Sequence, residues 1–198
     1  MREKMSTPTR ERLVTAVAEL MRTHGYSAIT VKQITAAADV PMGSLYHHFP
    51  QGKPQIAAVA LRDSGAAYIQ LLPLLMDPHE DLVDAMSSAF ADAARTLEES
   101  GWINMCPVGT VAGEIADSEP ELRQVVAEVI TDWIAQGATY FVRRGLVEDE
   151  ARDLVLAVLS ALEGAFVLGR TLRSAEPLLA AGNAMRARVE AVLARAES

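Results

Sequence analysis

Apolar residues recur at three- and four-residue intervals along nearly the whole chain, and no useful stretch alternates apolar with polar positions. This pattern predicts an all-α protein. Leu13, Ala16, Val17, Leu20 and Met21 share one helical face, opened by Thr7 as cap with Pro8 at the first helical position and closed by Gly25 after His24. A second helix starts at Thr30, where Gln33 completes a capping box and Ile29 and Ile34 are spaced for a hydrophobic staple. Ile34, Ala37 and Ala38 then form a small apolar stripe suited to a close helix crossing. Asp39-Val40-Pro41 is turn chemistry, because Asp tolerates the left-handed conformation and Pro41 can open a helix without its missing amide.

The segment that follows, Met42 to Phe49, is too short to fold alone. Leu45 and Phe49 can anchor it, which leaves Met42, Ser44, Tyr46, His47 and His48 to share the other directions. That set is polar, nearly uncharged and able to meet base edges and phosphate oxygens. Helix, short turn and short anchored helix make a helix-turn-helix unit. Pro50-Gln51-Gly52 breaks the chain, and Lys53-Pro54 restarts it as a helix to about Pro73, whose first amides and Lys53 ammonium favour a nearby phosphate.

Helical spacing continues to the end. Asp77-Pro78 opens a segment with Leu82, Met86, Phe90 and Ala93/Ala94 that stops at Ser100-Gly101. Cys106 to Ala116 reads as a short helix or turn interrupted by Gly109 and Gly113, a spacing that resembles close packing more than a phosphate cradle. Ser118-Glu119-Pro120-Glu121 caps a helix carrying Leu122, Val125, Val126, Val129, Ile130, Trp133 and Phe141 before Gly145. Two further helices are expected at about Glu148 to Leu172 and Ala175 to Ala196.

Charge changes this picture by its distribution. The net charge of −8 over 198 residues argues against nucleic-acid binding, yet residues 1–60 hold seven Lys/Arg and four Asp/Glu, net +3, leaving −11 for the remainder. A basic head on an acidic body presents one end to DNA. No apolar run reaches the roughly 20 residues of a membrane span, and no signal core follows Met1-Arg2-Glu3-Lys4, so a soluble, cytoplasmic protein with no membrane partner is expected. The single cysteine excludes an internal disulfide. Cys106 at a helix start could be a reactive thiol, but a buried, inert side chain is the commoner case. His47-His48 point apart on a helix with no carboxylate or cysteine at ligand spacing, and His24 and His79 read as surface or capping groups. No metal, cofactor or catalytic constellation is expected, since Walker, dinucleotide and nucleophile-elbow motifs are missing.

Pro41-Met42-Gly43-Ser44-Leu45-Tyr46-His47-His48-Phe49-Pro50, followed by Gly52-Lys53, resembles the signature of the TetR family of transcriptional regulators. Cys106-Pro107-Val108-Gly109-Thr110-Val111-Ala112 is similar to its LmrA/YxaF-like subgroup. The resemblance implies a helix-turn-helix DNA-binding domain over residues 1–52 and a larger helical effector-binding and dimerisation domain over residues 53–198. It implies that Thr30, Tyr46 and Lys53 hold phosphates and that Met42, Ser44 and His47 face bases, with Lys32 a further phosphate candidate. Asp39 stands where many relatives have glycine, and Pro41 where many have a serine cap.

By the same resemblance an apolar effector pocket would draw on Tyr68, Leu72, Met86, Phe90, Trp102, Met105, Ile130, Trp133, Phe141 and Phe166, although any one of these is by default core. Leu154, Val158, Ala161, Leu162, Ala165 and Gly169, with Ala181, Ala184, Met185 and Val189, are the expected small-residue faces of a homodimer formed through the last two helices. The function so implied is a repressor whose dimer binds a palindromic operator and is released by a small hydrophobic ligand. The alternatives are a helical enzyme and a helical ligand-binding or interaction module that does not touch DNA.

Overall fold

The computed structural model describes residues 8–115 and 118–196, which among the described residues form ten helices and no strand. They sort into two compact units, Met1–Ala66 with Cys106–Val129, and Ala67–Met105 with Ile130–Ser198.

The first unit begins with α1 (Thr9–His24), α2 (Val31–Ala37), α3 (Met42–His48) and α4 (Lys53–Ile69). Pro8 is the N-cap of α1 instead of its first helical residue, and the expected cap Thr7 lies outside the described residues. Leu13, Val17 and Met21 bury the inner face of α1, and Gly25 ends the helix at φ +78°, a conformation that only glycine adopts freely. In α2 the expected stripe is corrected. Ile34 and Ala38 are buried but Ala37 is exposed, and Thr35 takes the inner position by turning its hydroxyl onto the carbonyls of Val31 (3.1 Å) and Lys32 (3.2 Å).

α7 (Pro107–Ile115) lies against α1 in the same unit, burying Val108, Val111 and Ile115, with Cys106 buried at its start. Gly113 faces open space, so a close-packing role for it is not realised. Pro120 opens α8 (Pro120–Arg143). α4 and α8 meet at Gly65, where an added Cβ would overlap Val129 Cγ1, and a surface ion pair of Arg62 with Glu128 (3.1 Å) runs beside that meeting point.

In the second unit the helix expected to run from Lys53 to about Pro73 is divided. α4 stops at Ile69 and α5 (Leu71–Met76) follows, because Pro73 has no N–H for the Ile69 carbonyl and its ring would strike it. α6 (Leu82–Glu99) starts later than Asp77-Pro78. Its cap is Asp81, whose Oδ1 accepts from the amides of Val83 (2.7 Å) and Asp84 (2.9 Å). Residues 76–80 are instead held by Arg144, which donates to the carbonyls of Met76, His79 and Glu80 and to the Tyr140 hydroxyl, itself bonded to Asp77. α9 (Glu148–Leu172) and α10 (Glu176–Ala196) complete the unit, with α10 packed on both α6 and α9. Glycines admit large neighbours here. A Cβ on Gly182 would meet Phe90 at 2.7 Å, one on Gly169 would meet Leu97 at 2.8 Å, and one on Gly137 would meet Val155 at 2.9 Å.

The faces of α9 and α10 differ from expectation. Leu154, Ala165 and Gly169 are buried within the chain's own core, and Val158, Ala161 and Leu162 pack against it, as do Ala181, Met185 and Val189 of α10. Ala184 is exposed. The apolar side left uncovered is the opposite one, where Leu156, Val167 (52% exposed), Leu168 (54%) and Leu172 (64%) follow helical spacing beside the small residues Ser160 and Gly164, with Leu179 exposed on α10. On the inner face Gly169 admits Leu97 and the turn at Ser174 of the same chain. By length and composition alone α9 is the one helix among the described residues that could cross a membrane, although Glu163 interrupts its apolar run. Its apolarity is that of a helix with one face in a core and a second face uncovered.

Candidate nucleic-acid interface

α3 has only seven residues and no side-chain cap, so its place depends on its anchors. Leu45 is fully buried and Phe49 is 1% exposed, while Met42 (51%) and Tyr46 (50%) stand out from the surface with His47 and Gly43. Ser44 and His48 are half-buried, and the His47 and His48 rings meet edge-on with centroids 5.0 Å apart. The outward residues are thus Met42, Tyr46 and His47, flanked by Ser44, on a short ridge.

The angle between α2 and α3 is fixed from α1. Arg12 Nη2 donates to the carbonyls of Ala38 (2.6 Å) and Asp39 (2.5 Å) and lies 3.4 Å from the Asp39 carboxylate. It thereby satisfies carbonyls that the end of α2 leaves without helical partners. Asp39 adopts φ +51°, the left-handed turn conformation for which Asp is among the better non-glycine residues. Arg10 adds its guanidinium over the Phe49 ring at 5.4 Å. Neither arginine was singled out by sequence reasoning, because the turn that Arg12 caps lies 26 residues away.

Thr30 forms the expected capping box. Its Oγ1 accepts from Gln33 N (3.3 Å), and its own amide donates to Gln33 Oε1 (2.8 Å). Its hydroxyl is also 2.8 Å from Gln33 Oε1, which engages its proton. Lys32 is exposed. Lys53 is turned inward. Its Nζ donates to the Ile29 carbonyl (2.8 Å) and sits 4.1 Å over the Tyr26 ring. Burial lowers its pKa, against the pull of Glu119 and Glu114, and burial beside Glu119 pushes the Tyr26 hydroxyl up to about 12.

Residues 13–59 match the model of bacterial regulatory proteins of the tetR family, and residues 83–184 match that of the C-terminal domain of LmrA/YxaF-like transcriptional regulators. The chain belongs to the TetR family of DNA-binding transcriptional regulators. The HTH-type transcriptional regulator YxaF of Bacillus subtilis (strain 168) is 32% identical to this TetR-family regulator over 86% of this chain and 90% of its own. The HTH-type transcriptional repressor DhaR of Mycobacterium sp. (strain GP1) is 28% identical over 87% of each. A crystal structure of a TetR transcriptional regulator from Chloroflexus aurantiacus J-10-FL is similar with a TM-score of 0.74 and 30% identity, covering 92% of this chain and 94% of that one.

The regulator's large apolar residues in the second unit fall into two groups. Met86, Phe90 and Phe141 are buried in its core cluster, with Leu72, Trp102, Ile130 and Phe166 half-buried against it. Met105 and Trp133 are buried outside that cluster, and the half-buried Tyr68 donates its hydroxyl to the Met105 carbonyl at 3.3 Å. Trp102 holds φ +68°, unusual for so large a residue, where its amide reaches back to the Leu97 carbonyl (3.0 Å).

Proposed function

We propose that this TetR-family regulator is a cytoplasmic, homodimeric repressor that binds a palindromic operator and releases it when a small apolar ligand enters its second unit. The single observation that carries the reading is the two-sidedness of α3. Leu45 and Phe49 hold it from beneath, while Met42, Tyr46 and His47 are exposed, with no lysine, arginine or carboxylate among them. Residues 1–52 read DNA in this proposal, and residues 53–198 bind the effector and dimerise.

Met42, Ser44 and His47 are assigned to bases, and Thr30, Lys32, Tyr46 and Lys53 to phosphates. Lys53 is turned inward onto Ile29 and Tyr26 and uses one of its three donors there, so it meets a phosphate only through the remaining two. The engaged hydroxyl of Thr30 meets a phosphate only by releasing Gln33. The subunit interface is assigned to the uncovered face of α9, with Leu179 of α10, and this pairing accounts for an apolar surface that the chain itself leaves open. Two reading heads related by a two-fold axis set half-sites about 34–36 Å apart, or a multiple of that.

The ligand is assigned to the half-buried Tyr68, Leu72, Trp102, Ile130 and Phe166, with Met86, Phe90, Met105, Trp133 and Phe141 as the buried groups that repack around it. The strained Trp102 backbone supports a site there. The regulator acts by binding and not by turnover. α4 would carry the change by altering the distance between the two heads while leaving each intact. A coupling of about 1–3 kcal/mol alters operator affinity some 5- to 150-fold.

The test is a mobility shift on the DNA just upstream of the regulator's own coding region, repeated with hydrophobic aromatic and cationic compounds. Binding that Tyr46→Ala and His47→Ala abolish, and that one class of compound reverses, is the expected result. DNA affinity indifferent to both substitutions would instead identify a helical ligand-binding protein. A releasing ligand that leaves the head-to-head distance unchanged in solution scattering would refute the α4 mechanism.

A further inference from the structure

The loop joining α1 to α2 sets where α2 begins, and α2 sets α3 through the turn at Asp39. That loop is neither helix nor strand, and although a turn bond from the Ile29 amide to the Tyr26 carbonyl (3.3 Å) closes it locally, two of its amides are held from a distant part of the sequence. Glu114, near the end of α7, places Oε2 2.6 Å from the amide of Tyr26 and Oε1 2.8 Å from the amide of Ser27, a two-pronged bond across 88 and 87 residues of sequence. Gly25 makes the approach possible, since a Cβ there would stand 2.7 Å from Glu114 Oε2. The same loop is gripped on its other side by Lys53, through the Tyr26 ring and the Ile29 carbonyl. Every one of these groups belongs to the first compact unit.

We infer that Glu114 is a positioning residue for DNA binding. It touches no phosphate or base in this assignment, and acts by fixing the loop that orients α2 and the reading helix α3. The inference rests on the reading of α3 given above. It also means that residues 1–52 alone lack an anchor their loop requires, because the carboxylate comes from the region matched to the LmrA/YxaF-like C-terminal domain.

Charge and position predict opposite signs. Removing a carboxylate from the unit that carries α3 weakens long-range repulsion of DNA and by itself raises affinity. Losing the anchor lowers it. The probe is a duplex enriched by the full-length wild-type protein from a randomised pool, with affinity measured over a series of salt concentrations. Glu114→Ala is expected to lower affinity roughly 10-fold, the size that accompanies loss of hydrogen bonds to a charged group. The slope of log affinity against log salt is expected to stay at the wild-type value, because every phosphate keeps its partner. Glu114→Gln keeps one acceptor oxygen and is expected to regain part of the loss, which a pure charge effect would not allow. Hydrogen exchange at the Tyr26 and Ser27 amides should rise in the same order, with global thermal unfolding separating local from global loss. If Glu114→Ala unfolds, the Gln variant carries the test, with a smaller loss at an unchanged salt slope expected.

Affinity of either folded variant at or above that of the wild type, with those amides newly exchanging, would overturn the inference and leave the reading of α3 standing. A wild-type protein that enriches no duplex at all would overturn both.

Discussion

Glu163 offers a measurable consequence of the uncovered α9 face. It lies on the same side of the helix as Leu156 and Val167 and is half-buried, and burial pushes its carboxyl from the usual 4.5 up to about 7 with no neighbouring charge contributing. A carboxyl raised in this way favours the fold while it is protonated. Its contribution is complete below the unfolded value and is lost as pH climbs through the folded one. At 1.36 kcal/mol per unit the whole displacement is worth about 3 kcal/mol, and water still reaching the group reduces this to about 1–2 kcal/mol per subunit. Glu163→Gln has nearly the same shape and no charge to bury. Urea unfolding at fixed protein concentration should therefore show the variant more stable by about 1–2 kcal/mol near pH 8, with a much smaller gain near pH 5. Covering α9 with a second subunit would bury the carboxyl further and enlarge the difference. Equal gains at both pH values, or none, would refute the assignment of a desolvated carboxyl.

Three other outcomes follow from particular side chains. Leu45→Ala removes a fully buried anchor of α3 and should cost about 2–5 kcal/mol in urea unfolding, with DNA affinity falling in the fraction that remains folded. Lys32→Ala should weaken binding to all sequences alike and make the salt slope shallower by about 0.9 for each phosphate that Lys32 neutralises, which titrations at several salt concentrations would show. Leu168→Glu puts a charge on the open side of α9 and should yield monomers of unchanged helix content in sedimentation analysis.

The outward side of α3 was legible because the helix is too short to offer alternatives. With Leu45 and Phe49 as its only large apolar residues beside Met42, the outward set follows from helical geometry. Most helix limits were legible for a similar reason, since Thr30, Gly25, Gly101 and Gly145 are local signals that act within one turn. The open face of α9 was not. Both sides of that helix are apolar, and small residues occur on each, so periodicity cannot say which side meets the chain's own core. The inward Lys53 and the Glu114 anchor were likewise invisible, because each depends on a backbone group brought near by tertiary folding. Arg12 belongs with them.

The meeting of α4 and α8 at Gly65 and Val129 has a consequence for sequence variation. Space there is shared to within a single methyl group, so any bulk gained at one position must be surrendered at the other. Among relatives, alanine or serine at the first site should travel with alanine or glycine at the second. In this chain Gly65→Ala should be damaging alone and largely repaired by Val129→Ala, a reciprocity that could be recognised from aligned sequences before any further structure is solved.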